Sequence, residues 1–158
     1  MMRALLTALA VTTLSGASVP VQAANTLQLD SDIFVEREKT NADGSQTKVL
    51  EEPKKVVPGD RLVFVVRFKN IGASAASNFV VTNPIPAAVQ FEATPDGQDS
   101  VSVDGGKSWG RLPQLRVPEA GGGLRPAVAA DVTHLQWNLD QRLTAGAEGK
   151  VIFRGVVR

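Results

Sequence analysis

From Asp32 onward, apolar and polar residues alternate in short runs separated by Gly, Pro, Asn and Asp, which is the pattern of strands joined by turns. In RLVFVVRFKN, Leu62, Phe64, Val66 and Phe68 fall on one face and Val63, Val65, Arg67 and Lys69 on the other. The spacing predicts a strand with one face in a core and the other partly covered. DIFVEREKT and QTKVLEEP flank NADGS, whose Asp43-Gly44 supplies the positive-φ position of a tight turn, and so predict a hairpin with a polar, exposed tip. Pro58-Gly59-Asp60 marks the entry to RLVFVVRFKN and Asn70-Ile71-Gly72 its exit. NFVVTNPIP and AVQFEAT read as further strands, the first kept from pairing on both edges by Pro84 and Pro86.

Near the C-terminus, THLQWNL places Thr133, Leu135, Trp137 and Leu139 on one face, and KVIFRGVVR reads as a last strand after a turn at Gly146. If these strands share a core with RLVFVVRFKN, its inward residues are Phe64, Val66, Phe68, Leu135 and Trp137. PEAGGGLRPAVAAD, between them, has three consecutive glycines and little periodicity, and reads as a long loop. No segment after the N-terminus has a helical period. The expected fold is therefore all-β, an immunoglobulin-like antiparallel sandwich of about eight or nine strands.

The N-terminus departs from this pattern. MMRALLTALAVTTLSGASVPVQAAN carries Arg3, an apolar run from Ala4 to Leu14, and small residues at Val21-Gln22-Ala23, the parts of a secretory signal peptide with cleavage expected after Ala23. The run is too short for the ~20 residues a membrane-spanning helix needs, and no other stretch approaches that length. The expected division is a signal peptide over 1–23, an N-terminal segment with the hairpin over 24–53, and a sandwich domain over 54–158. Loss of Arg3 leaves sixteen basic against sixteen acidic residues, a balance that offers nothing to nucleic acid or anionic lipid. The chain has no Cys, which excludes disulfides, thiolate metal sites and Cys nucleophiles. An exported chain of this kind must be held by its core.

VVPGDRLVFVVRFKNIGASAASNFVVTNPIPAAVQFEA resembles the bacterial conserved-repeat family, domain of unknown function eleven, which occurs in exported and surface proteins. The resemblance is carried by Pro58-Gly59-Asp60, Asn70-x-Gly72, the run from Ala76 to Asn78 and Pro84-x-Pro86. It extends through Trp137, Leu143, Gly146, Gly149 and Phe153 to cover residues 54–158. It implies an immunoglobulin-like layout of two antiparallel sheets and assigns no activity. The family usually has Asp where this chain has Asn83, and its members tend to be strings of modules where this one stands nearly alone.

SVDGGKSW has the Ser-x-Asp-x-Gly-x-Ser-Trp spacing of the Asp-box of sialidases and bacterial propellers. In those proteins the motif is a turn device. Its roles would fall here to Ser102 and Asp104 as bonding groups, Gly106 for an unusual φ, and Trp109 as packing behind the hairpin. A sialidase needs a Tyr nucleophile and the chain has no Tyr. A propeller needs at least four blades, more chain than is present. The turn reading is therefore preferred and no catalytic residue is expected. His134, the one histidine, alternates onto the outward face of its strand, where exposure is the expectation. The acidic pairs Asp30 with Asp32 and Asp96 with Asp99 would bind calcium only if loops added more oxygens, so solvated carboxylates are the preferred reading. Lys69 points away from Phe64 and Phe68, which gives no inward lysine for an isopeptide cross-link.

The expected function is that of an exported, non-enzymatic structural or protein-binding module in the periplasm or outside the cell, without cofactor or metal. The expected contact surface is Gly121 to Asp131 with the loops near Trp109, or a free sheet edge that takes up a partner's strand. The alternative is a carbohydrate-binding, possibly calcium-dependent, accessory protein. That needs exposed aromatic platforms, whereas both tryptophans sit where a sandwich core wants them.

Overall fold

The computed structural model describes residues 27–95, 97 and 100–158. The expected signal peptide and the Asp96–Asp99 pair lie outside the described residues. The described part is an antiparallel β-sandwich with two sheets and a small hairpin at one end. The strands are β1 (Leu27–Thr40), β2 (Gln46–Glu51), β3 (Arg61–Asn70), β4 (Phe79–Pro84), β5 (Val89–Ala93), β6 (Ser100–Ser102), β7 (Arg116–Pro118), β8 (Leu124–Pro126), β9 (His134–Leu139) and β10 (Glu148–Val157). One sheet has the order β2-β1-β3-β10-β5, the other β4-β9-β6, and β7 pairs with β8. Among the described residues the helical pieces are single 3₁₀ turns at Leu112–Gln114 and Ala129–Asp131.

There are ten strands where the pattern predicted eight or nine, because β6, β7 and β8 span three residues each and are too short to show a period. The largest correction concerns PEAGGGLRPAVAAD, which is no open loop. Val117 pairs with Arg125, the Glu119 amide donates to the Gly123 carbonyl, and Gly122 takes the turn at φ +91°. Val117 and Ala127 are buried beneath it. β1 likewise starts at Leu27, five residues before the alternation becomes visible at Asp32, because Leu27–Glu36 pair along the length of β3. The hairpin that joins β1 to β2 turns at Gly44 (φ +80°) and is part of the main sheet.

The core lies between the two sheets. Phe64, Val66 and Phe68 of β3 and Leu135 and Trp137 of β9 are all buried, with Val35, Val81, Phe91, Val101, Val151 and Phe153. Phe64 stacks on Phe153 at 4.4 Å, Trp137 leans on Phe153 at 6.2 Å, and Phe68 meets Phe79 edge-on at 5.5 Å. These contacts place β4 over β3 and β9 over β10. The five-stranded sheet therefore overhangs the three-stranded one on the side of β1 and β2.

The outer face of β3 is more covered than alternation suggests, since Val63 and Val65 are buried. Their ladder neighbours are Phe34 and Arg154, and Asp32 and Ile152. Each valine is thus flanked across the ladder by at least one bulky or long side chain, whose stem commonly covers apolar surface.

Two polar clamps hold the ends of β3. Asp60 accepts a bidentate pair from Arg37 of β1 (2.5 and 3.1 Å) and the Val57 amide (2.9 Å), and the guanidinium is the first cause of its lowered pKa. Asn70, fully buried, donates to the carbonyls of Ser74 (2.7 Å) and Leu143 (2.9 Å) and accepts from the Gly72 amide (3.0 Å). The second clamp ties the loop after β3 to the segment before β10.

Candidate functional site

The Asp-box-like segment closes the turn after β6, and the structure brings its expected residues together. Ser102 is fully buried, and its Oγ donates to Asp104 Oδ1 (2.7 Å) while accepting from the amides of Gly106 (2.9 Å) and Asp104 (3.3 Å). Asp104 Oδ1 also accepts the amides of Lys107 (3.1 Å) and Ser108 (3.0 Å), and Oδ2 accepts the Ser108 hydroxyl (2.6 Å). Gly105 and Gly106 have φ of +80° and +87°, where an L side chain is disfavoured.

These bonds hold the Asp104 carboxyl well below the usual carboxylate range, the Ser108 hydroxyl and amide contributing most and Ser102 next. A carboxylate whose two oxygens are occupied by donors stays ionised and serves as the hub of a turn. Held ionised by these donors, it has no proton to give in acid catalysis and is a weak base near neutral pH.

Three contributors lie outside the roles the motif assigns. Ser108 supplies the shortest bond to Asp104, and the second Ser of the Asp-box spacing was a signal for it. Gly105 shares the positive φ assigned to Gly106 alone, and its amide donates to Thr133 Oγ1 (3.1 Å). Thr133 also donates its hydroxyl and its amide to the Ser102 carbonyl (3.1 and 2.8 Å), which fastens the turn to the entry of β9. Nothing local in the sequence marks Thr133, since the link spans some thirty residues.

Trp109 and His134 both depart from expectation. Trp109 is half-buried at the edge of the sandwich and takes no place in the core, which is filled by Trp137. Its ring meets that of His134 edge-on at 6.4 Å. His134 does lie opposite Leu135 and Trp137, but the Trp109 ring makes it half-buried where exposure was expected, and its Nδ1 sits 3.1 Å from Thr133 Oγ1.

The remaining candidates resolve into structural pairs. Asp30 accepts from Gln28 (3.0 Å) and Asp32 is paired with Arg67, so each carboxylate already has a protein partner. Among the described residues no group of three or more His, Asp or Glu side chains could hold a metal ion. Asn83 donates to the Pro84 carbonyl (2.8 Å), and Lys69 pairs with Glu148 (2.6 Å) on the outer face.

The stretch from Gly121 to Asp131 forms the tip of the β7–β8 hairpin, its second strand and the 3₁₀ turn beyond. Leu124 and Val128 are exposed, while Arg125 grips Asp131 with two 2.7 Å bonds. That grip, with the Val128 amide, lowers the Asp131 pKa to about 2. Comparison with known proteins yields no match: no family model, no curated protein and no solved structure aligns with the chain. Among the described residues no helix is long and apolar enough to cross a membrane.

Proposed function

We propose that the chain is an exported, non-enzymatic module of the bacterial cell envelope or exterior that binds another protein. The observation that carries this reading is the incomplete edge of the larger sheet. β1 overhangs the smaller sheet, and Leu29 and Ile33 on its inner face stay 51% and 41% exposed beside the buried Phe68 and Phe64. Apolar side chains on an unpaired strand edge are a template for another strand. The hydrogen-bonded Asp104 turn and the resemblance to the conserved-repeat family both fit a scaffold of this kind.

The test is expression of the full chain in a bacterial host, with fractionation, N-terminal sequencing and photo-crosslinkers at Leu29 or Leu124. The expected product begins at Ala24, lies outside the cytoplasm and cross-links to another envelope protein. A cytoplasmic protein that retains residues 1–23, or one that cross-links from neither position, overturns the proposal.

A further inference from the structure

The free edges of the two sheets differ in kind. β4 offers six residues, ends at Pro84 and lies beneath the overhang of β1 and β2. β5 and β6 offer five and three residues. β1 offers more. Leu27–Phe34 pair with β3 on one side, while β2 reaches only Val35–Thr40 on the other, its run closed by Pro53 two residues after Glu51. Among the described residues, eight positions of β1 thus keep an open edge, about 27 Å long at strand rise.

The chemistry of that edge alternates. Leu29, Ser31 and Ile33 share the inner face, because their ladder partners Phe68, Val66 and Phe64 are core residues. Gln28, Asp30, Asp32 and Phe34 share the outer face. Asp32 is paired with Arg67; Asp30 lies opposite Arg67 in the ladder, yet it has a hydrogen bond from Gln28 and no ion pair among the described residues.

This pattern discriminates between occupants. A second copy that paired antiparallel over most of the edge would be centred on Asp30, Ser31 or Asp32. Centring on Ser31 sets Asp30 against Asp32, and centring on either Asp sets it against itself. Like charges directly opposite across a ladder are destabilising, so the edge resists its own copy. The complement is a strand whose outer residues are cationic, and it would extend the charged row Lys150–Arg67–Asp30 by one more alternation of sign at Asp30.

We infer that the open edge of β1 receives an extended segment of another protein, in which apolar and basic residues alternate, as a sixth strand beside Leu27–Phe34. The inference rests on the protein-binding reading above and names the partner's chemistry. The segment's apolar residues lie beside Leu29 and Ile33, its basic residues beside Asp30 and Asp32, and its paired length is limited to about eight residues where β2 begins.

The probe is an eight-residue, end-capped peptide of alternating Val and Lys. Its controls are the Val/Glu counterpart and a block peptide of four Val then four Lys. Binding to the purified protein at low salt is read by fluorescence anisotropy, and its place by amide hydrogen exchange. The Val/Lys peptide should bind at least tenfold more tightly than either control and slow exchange at alternate amides of Leu27–Phe34, since only every second N–H faces outward. Asp30→Asn should weaken it, and Asp30→Lys should reverse the preference toward the Val/Glu peptide.

Absence of binding, equal binding of the three peptides, protection elsewhere, or a wild-type dimer that protects these same amides would each overturn the inference. If the peptides fail while Leu124 still cross-links to an envelope protein, the edge is wrong and the binding module stands. If both positions are silent as well, both readings fall.

Discussion

Asn70 is the residue whose replacement tests the fold most sharply, because its side chain is fully buried and all its bonds run to backbone groups of loops. Asn70→Ala removes three hydrogen bonds, taking from the Ser74 carbonyl and the Gly72 amide the side-chain partner they have here and leaving the Leu143 carbonyl with the Ala76 amide alone. At about 1 kcal/mol net for each bond, with a further penalty for any group that stays dry, the expected loss is roughly 2–4 kcal/mol. That is a large part of the 5–15 kcal/mol a domain of this kind has. Asn70→Asp keeps the shape and reverses the chemistry. Its new carboxyl faces the Ser74 and Leu143 carbonyls with only the Gly72 amide as donor, so the ionised form is disfavoured in the folded state. Its folded pKa then lies above the unfolded value of about 3.9. Below that value both states hold the proton and the variant is nearly as stable as a neutral one. As pH rises past 3.9 the unfolded chain releases its proton first, and stability falls until the folded pKa is passed. Urea unfolding of wild type and both variants from pH 3 to pH 7, referenced to wild type at each pH, gives the answer. An Asn70→Ala cost under about 0.5 kcal/mol, or an Asn70→Asp cost independent of pH, would refute the clamp.

Trp137→Ala should cost about 3–5 kcal/mol in urea unfolding and Gln136→Ala about 0.5 kcal/mol or less, since only Trp137 is in the core. Gly149→Ala would set a Cβ 2.2 Å from the Phe68 ring, so it should cost about 1–3 kcal/mol by overpacking, again read by urea unfolding. Asp104→Ala should speed amide exchange at Gly106, Lys107 and Ser108 while leaving β3 and β10 protected; loss of protection throughout would show the turn to be part of the global fold. The lowered Asp131 pKa means that its latch on Arg125 and the Val128 amide helps stability above the unfolded pKa of about 3.9 and is lost as pH falls through about 2. The protection factor of the Val128 amide, its exchange referenced to the unstructured rate at each pH, should accordingly fall between pH 4 and pH 2.

Alternation was enough to read those elements whose two faces meet different surroundings. β3 and β9 lie in the middle of their sheets with one face on the core, and their inward residues are named correctly by a period of two. It failed where that contrast is absent. The first half of β1 overhangs the smaller sheet, so Leu29 and Ile33 point inward without being covered and Ser31 sits between them. The β7–β8 hairpin is made of three-residue strands set by Glu119–Gly123 backbone bonds, which carry no side-chain signature. In the turn at Asp104 the motif named the hub and its Ser102 partner, because Asx-type bonds reach only a few residues along the chain.

The polar contacts that fasten distant segments belong to a different class, and they answer a problem that every sandwich has to solve. Thr133 on Ser102 spans thirty-one residues, Arg37 on Asp60 twenty-three and Asn70 on Leu143 seventy-three. Each joins strands that the topology separates in sequence, at the ends where the backbone leaves the ladder with unpaired groups. The residue type gave a hint at Asp60 and Asn70, both beside a glycine turn, but the partner was fixed only when the sheets closed. The same reasoning bears on the open edge of β1. Among the described residues the other sheet edges are shorter, six residues ending at Pro84 in β4, five in β5 and three in β6. A long edge left with two exposed apolar side chains and an acidic pair that hinders self-pairing is what a surface for a foreign strand requires.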